Sequence, residues 1–99
     1  MREIMNYIQE YYDTVTLKTL SEKFYLSVPY LSKYIKEKTG KSFSSIVTGI
    51  RMQHACNLLK SRNSSIEQIA AEAGYPSVEH FNRQFKKIYG ITPAAFRNQ

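Results

Sequence analysis

Within the segment SVEHFNRQFKKIYG (residues 77–90), Glu79, Asn82, Arg83 and Lys86 recur at i, i+3, i+4 and i+7. On a helix that spacing gathers a carboxylate, an amide, a guanidinium and an ammonium into one stripe. These groups can read nucleic-acid bases. Arginine pairs in bidentate fashion with guanine O6 and N7, asparagine with adenine, and glutamate accepts from cytosine N4. Val78, Phe81, Phe85 and Ile88, at i, i+3, i+7 and i+10, form an apolar seam behind the stripe. A helix so built suits a nucleic-acid groove. The plainer alternative is an amphipathic surface helix whose charged face is only solvated.

Other chemistry finds little support. No nucleophile–base arrangement, phosphate-cradling glycine loop or pair of carboxylates placed for acid–base work is present, so no catalytic residues are assigned and an enzyme is not expected. His54, Cys56 and His80 are the soft-metal candidates. His54 and Cys56 point in different directions on a helix, and no second cysteine or His pair at i, i+4 completes a set, so neither metal nor cofactor is expected.

The 99 residues suffice for one domain with a modest core. Apolar content of 42% supports folding, and the net charge of +6 favours an anionic partner, either nucleic acid or an anionic membrane. No apolar run approaches the roughly 20 residues of a membrane span, and no signal-peptide core opens the chain. A membrane-surface helix is disfavoured because tryptophan is absent and the apolar faces are needed inside. The single cysteine fits a reducing, cytoplasmic setting.

Taken in order, Ile4, Tyr7, Ile8 and Tyr11 mark a first helix over about residues 2–12, interrupted by Asp13 and Thr14. Thr16 caps a short second helix with Leu17, Leu20 and Phe24 inward, and Tyr25-Leu26 form a tight turn. Ser27 caps a third helix, with Pro29 in its first turn, Leu31 and Ile35 inside and Gly40 at its end. Residues 43–60 form the longest helix, carrying Phe43, Ile46, Val47, Ile50, Ala55, Leu58 and Leu59. Ser65 begins a fifth, with Ile66, Ile69, Ala70 and Ala73 inward. Gly74-Tyr75-Pro76 make the turn into residues 77–90. Finally, Thr92, Pro93 and Phe96 supply a cap, a first helical residue and a plug. No strand-like alternation appears, so the fold class is all-α.

Residues 27–40 and 77–90 align without a gap at an offset of fifty. Ser27/Ser77, Val28/Val78, Lys36/Lys86 and Gly40/Gly90 are identical, and Leu31/Phe81, Ile35/Phe85 and Lys33/Arg83 are alike. The polar stripes coincide, with Pro29, Ser32, Lys33 and Lys36 matching Glu79, Asn82, Arg83 and Lys86. Each segment follows a short helix and a tight turn, which is the helix-turn-helix plan whose second helix enters the major groove. Two such units predict a monomer able to touch two successive grooves, which lie about 34–36 Å apart. A linker of about 27 Å plus the thickness of the units has compatible reach.

With these elements in place, the chain resembles the DNA-binding domain of the AraC/XylS family of bacterial transcription regulators. The resemblance runs through LSVPYLSKYIKEKTGKSF (26–43), IRMQHACNLL (50–59) and SIEQIAAEAGYPSVEHFNRQFKKIYGITPAAFR (65–97), with its G-Y-x-S, F-x-R-x-F-K and G-x-T-P-x-x-F-R elements. It implies seven helices in a homeodomain-like, AraC-type arrangement. One DNA-binding domain covers residues 1–99, with a first helix-turn-helix unit at 1–42, a linker helix at 43–60 and a second unit at 61–99. Recognition helices at about 28–39 and 77–89 would enter successive major grooves of promoter or operator duplex.

Carried over by position, the base-facing places fall on Pro29, Ser32 and Lys33 in the first recognition helix and on Val78, Glu79, Asn82 and Arg83 in the second, with His80 beside them. The chain departs from the family pattern at Tyr25, which stands where glycine is usual. There the backbone is strained or altered, or Tyr25 packs against the linker. Ser21 replaces a usual alanine, and Pro29, Ser32 and Val78 are short or apolar readers.

Each role has an alternative. Arg83 and Lys33 either read bases or hold phosphates, Lys33 leaning to phosphate for want of a fork. Glu79 reads cytosine or serves the helix dipole, the reading preferred for it. Asn82 reaches adenine or a phosphate. Lys36, Lys41, Lys86 and Lys87 are expected on phosphates, and Ser27 and Ser77 are N-caps whose helix ends also offer N–H groups to phosphates. Arg51 is expected to pair with a carboxylate within the chain, and Tyr30, Tyr34 and Tyr75 are candidates for sugar–phosphate. The competing function is a helical protein-interaction module whose polar stripes meet an acidic partner such as an RNA polymerase subunit, a role compatible with DNA binding. The resemblance leaves no room for a sensor domain in these residues, so any small-molecule effector or signal would act through a separate domain, the chain being either an excised C-terminal half or a small stand-alone regulator.

Overall fold

The computed structural model describes residues 1–99 as seven α-helices and no strands: α1 (Arg2–Glu10), α2 (Leu17–Phe24), α3 (Val28–Thr39), α4 (Phe43–Ser61), α5 (Ile66–Glu72), α6 (Val78–Tyr89) and α7 (Pro93–Arg97). They divide into two compact units, Met1–Ile50 and Arg51–Gln99, so the boundary falls inside α4. The apolar residues of α4 follow no single stripe because they serve two cores. Val47, with Ile46 and Ile50 packed beside it, belongs to the first, while Met52, Ala55 and Leu59 belong to the second.

The first unit closes over Ile4, Ile8, Val15, Leu20, Leu31, Ile35 and Val47. Helix α1 is shorter than its apolar stripe predicts. It ends at Glu10, the Tyr11 N–H donates to the Tyr7 carbonyl, and Val15 beyond the turn enters the core instead. Thr16 and Thr19 cap α2 reciprocally, each side chain accepting from the other's backbone N–H at 3.0 and 2.9 Å. The turn into α3 is held by the Leu26 N–H on the Ser21 carbonyl at 3.1 Å and by the Ser21 hydroxyl on the Leu26 carbonyl.

Tyr25 stands in that turn at φ 57, ψ 41, the chain's one non-glycine residue in the left-handed region. Its side chain is 93% exposed, so it does not pack on the linker helix. The strained-backbone alternative holds. A left-handed L-residue costs roughly 1–2 kcal/mol, of which a glycine's greater entropy loss takes back about half. Tyr25→Gly is therefore expected to stabilise the chain by about 0.5–1 kcal/mol in urea unfolding, with the m-value unchanged. An unchanged or lowered midpoint would show that the Tyr25 backbone carries no strain.

The second unit repeats the plan around Met52, Ala55, Leu59, Ile69, Ala70, Ala73, Tyr75, Phe81 and Phe85. Ser65 and Gln68 form a capping box on α5, and the Tyr75 N–H meets the Ala70 carbonyl at 3.0 Å, the counterpart of Leu26 on Ser21 at an offset of 49. Gly74, at φ 96, stands where Tyr25 does, and one further residue, Pro76, completes this turn. Arg62 pairs with both Glu72 carboxylate oxygens at 3.1 Å. The α6 seam differs from its prediction at Ile88, which is 47% exposed. Tyr89, at i+4 from Phe85 and itself 42% exposed, lays its ring against Phe85, with centroids 4.6 Å apart, and also faces Phe96.

The short α7 starts as its sequence predicts, with Thr92 capping and Pro93 buried at the first position, and Phe96 lies against Phe85 at 5.5 Å. Arg97 has a part no periodicity revealed. Its Nε donates to the Leu59 carbonyl at 3.3 Å, and its Nη2 donates to the Arg62 and Ser64 carbonyls at 3.3 and 2.7 Å. The guanidinium thus closes the C-terminal end of α4, where carbonyls run out of helical partners.

Candidate nucleic-acid interface

Helices α3 and α6 are each twelve residues long and share the same boundaries in the repeat. Ser27 Oγ accepts from the Tyr30 N–H at 3.2 Å and Ser77 Oγ from the His80 N–H at 3.1 Å, which fixes where each helix starts. Gly40 and Gly90 end them in the left-handed region at φ 76 and 80, each N–H returning to a lysine carbonyl, of Lys36 and Lys86. Leu31 and Ile35, like Phe81 and Phe85, are fully buried and set the rotation of each helix.

That rotation leaves the polar stripes outside. On α3, Pro29, Ser32, Lys33 and Lys36 are all exposed. On α6, Glu79, Arg83 and Lys86 are exposed and Asn82 is half-buried. Four side chains on each helix therefore share a face at i, i+3, i+4 and i+7. Val78 and His80 are half-buried at the edge of this face, His80 resting edge-on against the Tyr75 ring at 5.2 Å. Lys87 is exposed on the flank, and Lys41 is exposed beyond the end of α3, its N–H on Thr39 Oγ at 3.1 Å. Lysines in the last turns, Lys36 and Lys38 on α3 and Lys86 and Lys87 on α6, also suit the helix dipole.

The three tyrosines proposed for sugar–phosphate separate. Tyr30 is exposed and stacks on Tyr34 with centroids 5.8 Å apart and planes at 12°. Tyr75, at 8% exposure, belongs to the core, since the turn before α6 folds its ring onto Phe81 at 5.5 Å. Burial raises its phenol above the ordinary 10.0, opposed by the Arg51 guanidinium, which lies 5.9 Å from the ring centroid. Arg51, expected to pair with a carboxylate within the chain, thus has this aromatic face as one of its partners. Glu37 and Gln84 flank the stripes and were not singled out by the sequence. Lys33 Nζ lies 3.9 Å from the Glu37 carboxylate.

No helix is long and apolar enough to cross a membrane. Over residues 20–99 the chain matches the model of a helix-turn-helix domain. The chain belongs to the AraC-type helix-turn-helix family. This is a family of DNA-binding transcription regulators and not of enzymes. The fold is similar to that of the C-terminal domain of the two-component response regulator yesN from Fusobacterium nucleatum, at 38% identity and a TM-score of 0.93, covering 97% of this chain and 95% of that one. It is also similar to the C-terminal domain of AraT, a response regulator from Geobacillus stearothermophilus, at 36% identity and a TM-score of 0.94, covering 98% of this chain and 82% of that one. The uncharacterized transcriptional regulatory protein YesN of Bacillus subtilis is 36% identical over 80 residues, 79% of this chain and 22% of that protein. Against the first curated relatives it matches, the chain spans between 12% and 36% of their length.

Proposed function

We propose that this AraC-type domain binds double-stranded DNA sequence-specifically at promoter or operator sites and so regulates transcription, with α3 and α6 entering successive major grooves. The observation that carries the reading is the repeated twelve-residue helix, capped alike at both ends, with an exposed polar stripe opposite a fully buried apolar pair. A chain charge of +6 supplies the long-range attraction to duplex.

In this reading Pro29, Ser32 and Lys33 on α3, and Val78, Glu79, His80, Asn82 and Arg83 on α6, face base edges. Ser27, Lys36, Lys41, Ser77, Lys86 and Lys87 hold phosphates. Arg83 is the principal reader, since its guanidinium is the exposed fork in the stripe. RNA polymerase is a second partner, any small-molecule effector or signal acts only through a separate domain, and the site of action is the bacterial cytoplasm.

Selection from a random duplex library, followed by anisotropy titration across salt, tests the reading. A selected site of two unequal elements about one helical turn apart is expected. Arg83→Ala is expected to weaken that site by about 1–3 kcal/mol and to relax preference at one position. A uniform loss on all duplexes, with the salt slope lowered by about one, would instead make Arg83 a phosphate contact. Binding insensitive to both salt and sequence would overturn the function.

A further inference from the structure

Each recognition helix carries a shallow open depression beside its polar stripe, and the repeat relates the two residue by residue. On α3 it is lined by Tyr30, Lys33, Tyr34 and Glu37, and on α6 by His80, Arg83, Gln84 and Lys87, each set at i, i+3, i+4 and i+7. Lys33 and Arg83 belong to both depression and stripe, so these flanks adjoin the reading face. Their chemistry has diverged. The α6 flank combines an arginine and a lysine with a histidine and a glutamine and holds no acid. On α3, stacked tyrosine rings form the wall, and the Glu37 carboxylate stands 3.9 Å from the Lys33 ammonium.

Helix stability does not account for that glutamate. It lies near the C-terminus of α3, where the dipole favours a cation such as its counterpart Lys87. The pair also runs Lys then Glu, the less favourable direction at i, i+4. Both side chains are largely in solvent, at 78% and 61% exposure, so the pair adds little to the fold.

We propose that Glu37 is a specificity determinant, a fixed negative charge that occupies Lys33 and opposes capture of the phosphate backbone by α3. The first unit then engages duplex where base contacts compensate, while Lys87 on the α6 flank, with no acid beside it, holds the phosphate backbone on any sequence. The inference rests on the DNA-binding reading above.

The test is anisotropy titration of the full chain against a selected site and against random duplex across a range of salt, with far-UV circular dichroism to confirm folding. Glu37→Gln is expected to steepen the salt slope on random duplex by about one unit and Glu37→Lys by about two. Each added unit of slope corresponds to about fourfold tighter binding when salt falls from about 200 to about 50 mM. The selected site should gain less, because base contacts already hold α3 there, so the ratio between the two duplexes falls. Lys87→Glu should flatten the slope on both. Unchanged slope and random-duplex affinity in folded Glu37→Lys, with wild type binding normally, would overturn this proposal alone. Failure of wild type to bind duplex in a salt-dependent way would overturn both.

Discussion

Phe85→Ala is expected to destabilise the chain by about 3–5 kcal/mol, the range for truncating a fully buried aromatic residue. Phe85 is inaccessible to solvent and its ring meets Phe81 at 5.8 Å, Tyr89 at 4.6 Å and Phe96 at 5.5 Å. It is the point where α6, α7 and the core of the second unit converge. Losing it leaves a cavity that three neighbouring rings, held by their own backbones, can fill only in part. A small domain has about 5–15 kcal/mol of stability in total, so this single truncation removes a large share of it and should lower the urea midpoint markedly. Urea unfolding followed by circular dichroism checks this. Ile88→Ala is the contrast, expected within about 0.5 kcal/mol of wild type because Ile88 is half in solvent. Equal effects at the two positions would mean that the seam is continuous through Ile88, as the sequence spacing predicts, and the assigned core is wrong.

Arg97→Ala is expected to cost about 2–4 kcal/mol, since hydrogen bonds to a charged donor contribute about 1.5–3 kcal/mol each and those sharing one donor do not add fully. The substitution strips the Leu59, Arg62 and Ser64 carbonyls of their donor at the end of α4. It also loosens α7, which Lys60 of α4 holds as well, with its ammonium on the Gln99 carbonyl at 3.0 Å and over the Phe96 ring at 4.8 Å. Arg97→Lys should recover little of the loss, because an ammonium on a flexible stem does not span three carbonyls as a planar fork does. Urea midpoints of both variants decide the matter. A lysine variant as stable as wild type would reduce Arg97 to a surface charge.

The local code of this chain was legible in its sequence. Thr16, Ser27, Ser65, Ser77 and Thr92 all cap the helices their positions predict, because a cap joins residues three apart and needs no tertiary partner. Gly40 and Gly90 end α3 and α6 for the same local reason. The two polar stripes follow from helical periodicity once Leu31, Ile35, Phe81 and Phe85 are recognised as the buried side.

What required the tertiary structure were choices among residues that local rules treat alike. Ile88 and Tyr89 both lie within a turn of Phe85, and packing against Phe96 selects the tyrosine. Tyr75 follows a turn glycine and reads as exposed, yet its ring is drawn into the core. Tyr25 adopts a backbone that glycine prefers because the turn's length is fixed by the bond from Leu26 to Ser21, whichever residue stands between. The sequence by itself determined the helices, the caps of α2, α3 and α5 to α7 and the two repeated polar stripes, since those depend on neighbours within one or two turns. The tertiary structure decided how α4 is shared between two cores, what Arg97 closes and which depression each reading face adjoins, since those depend on residues brought together from distant parts of the chain.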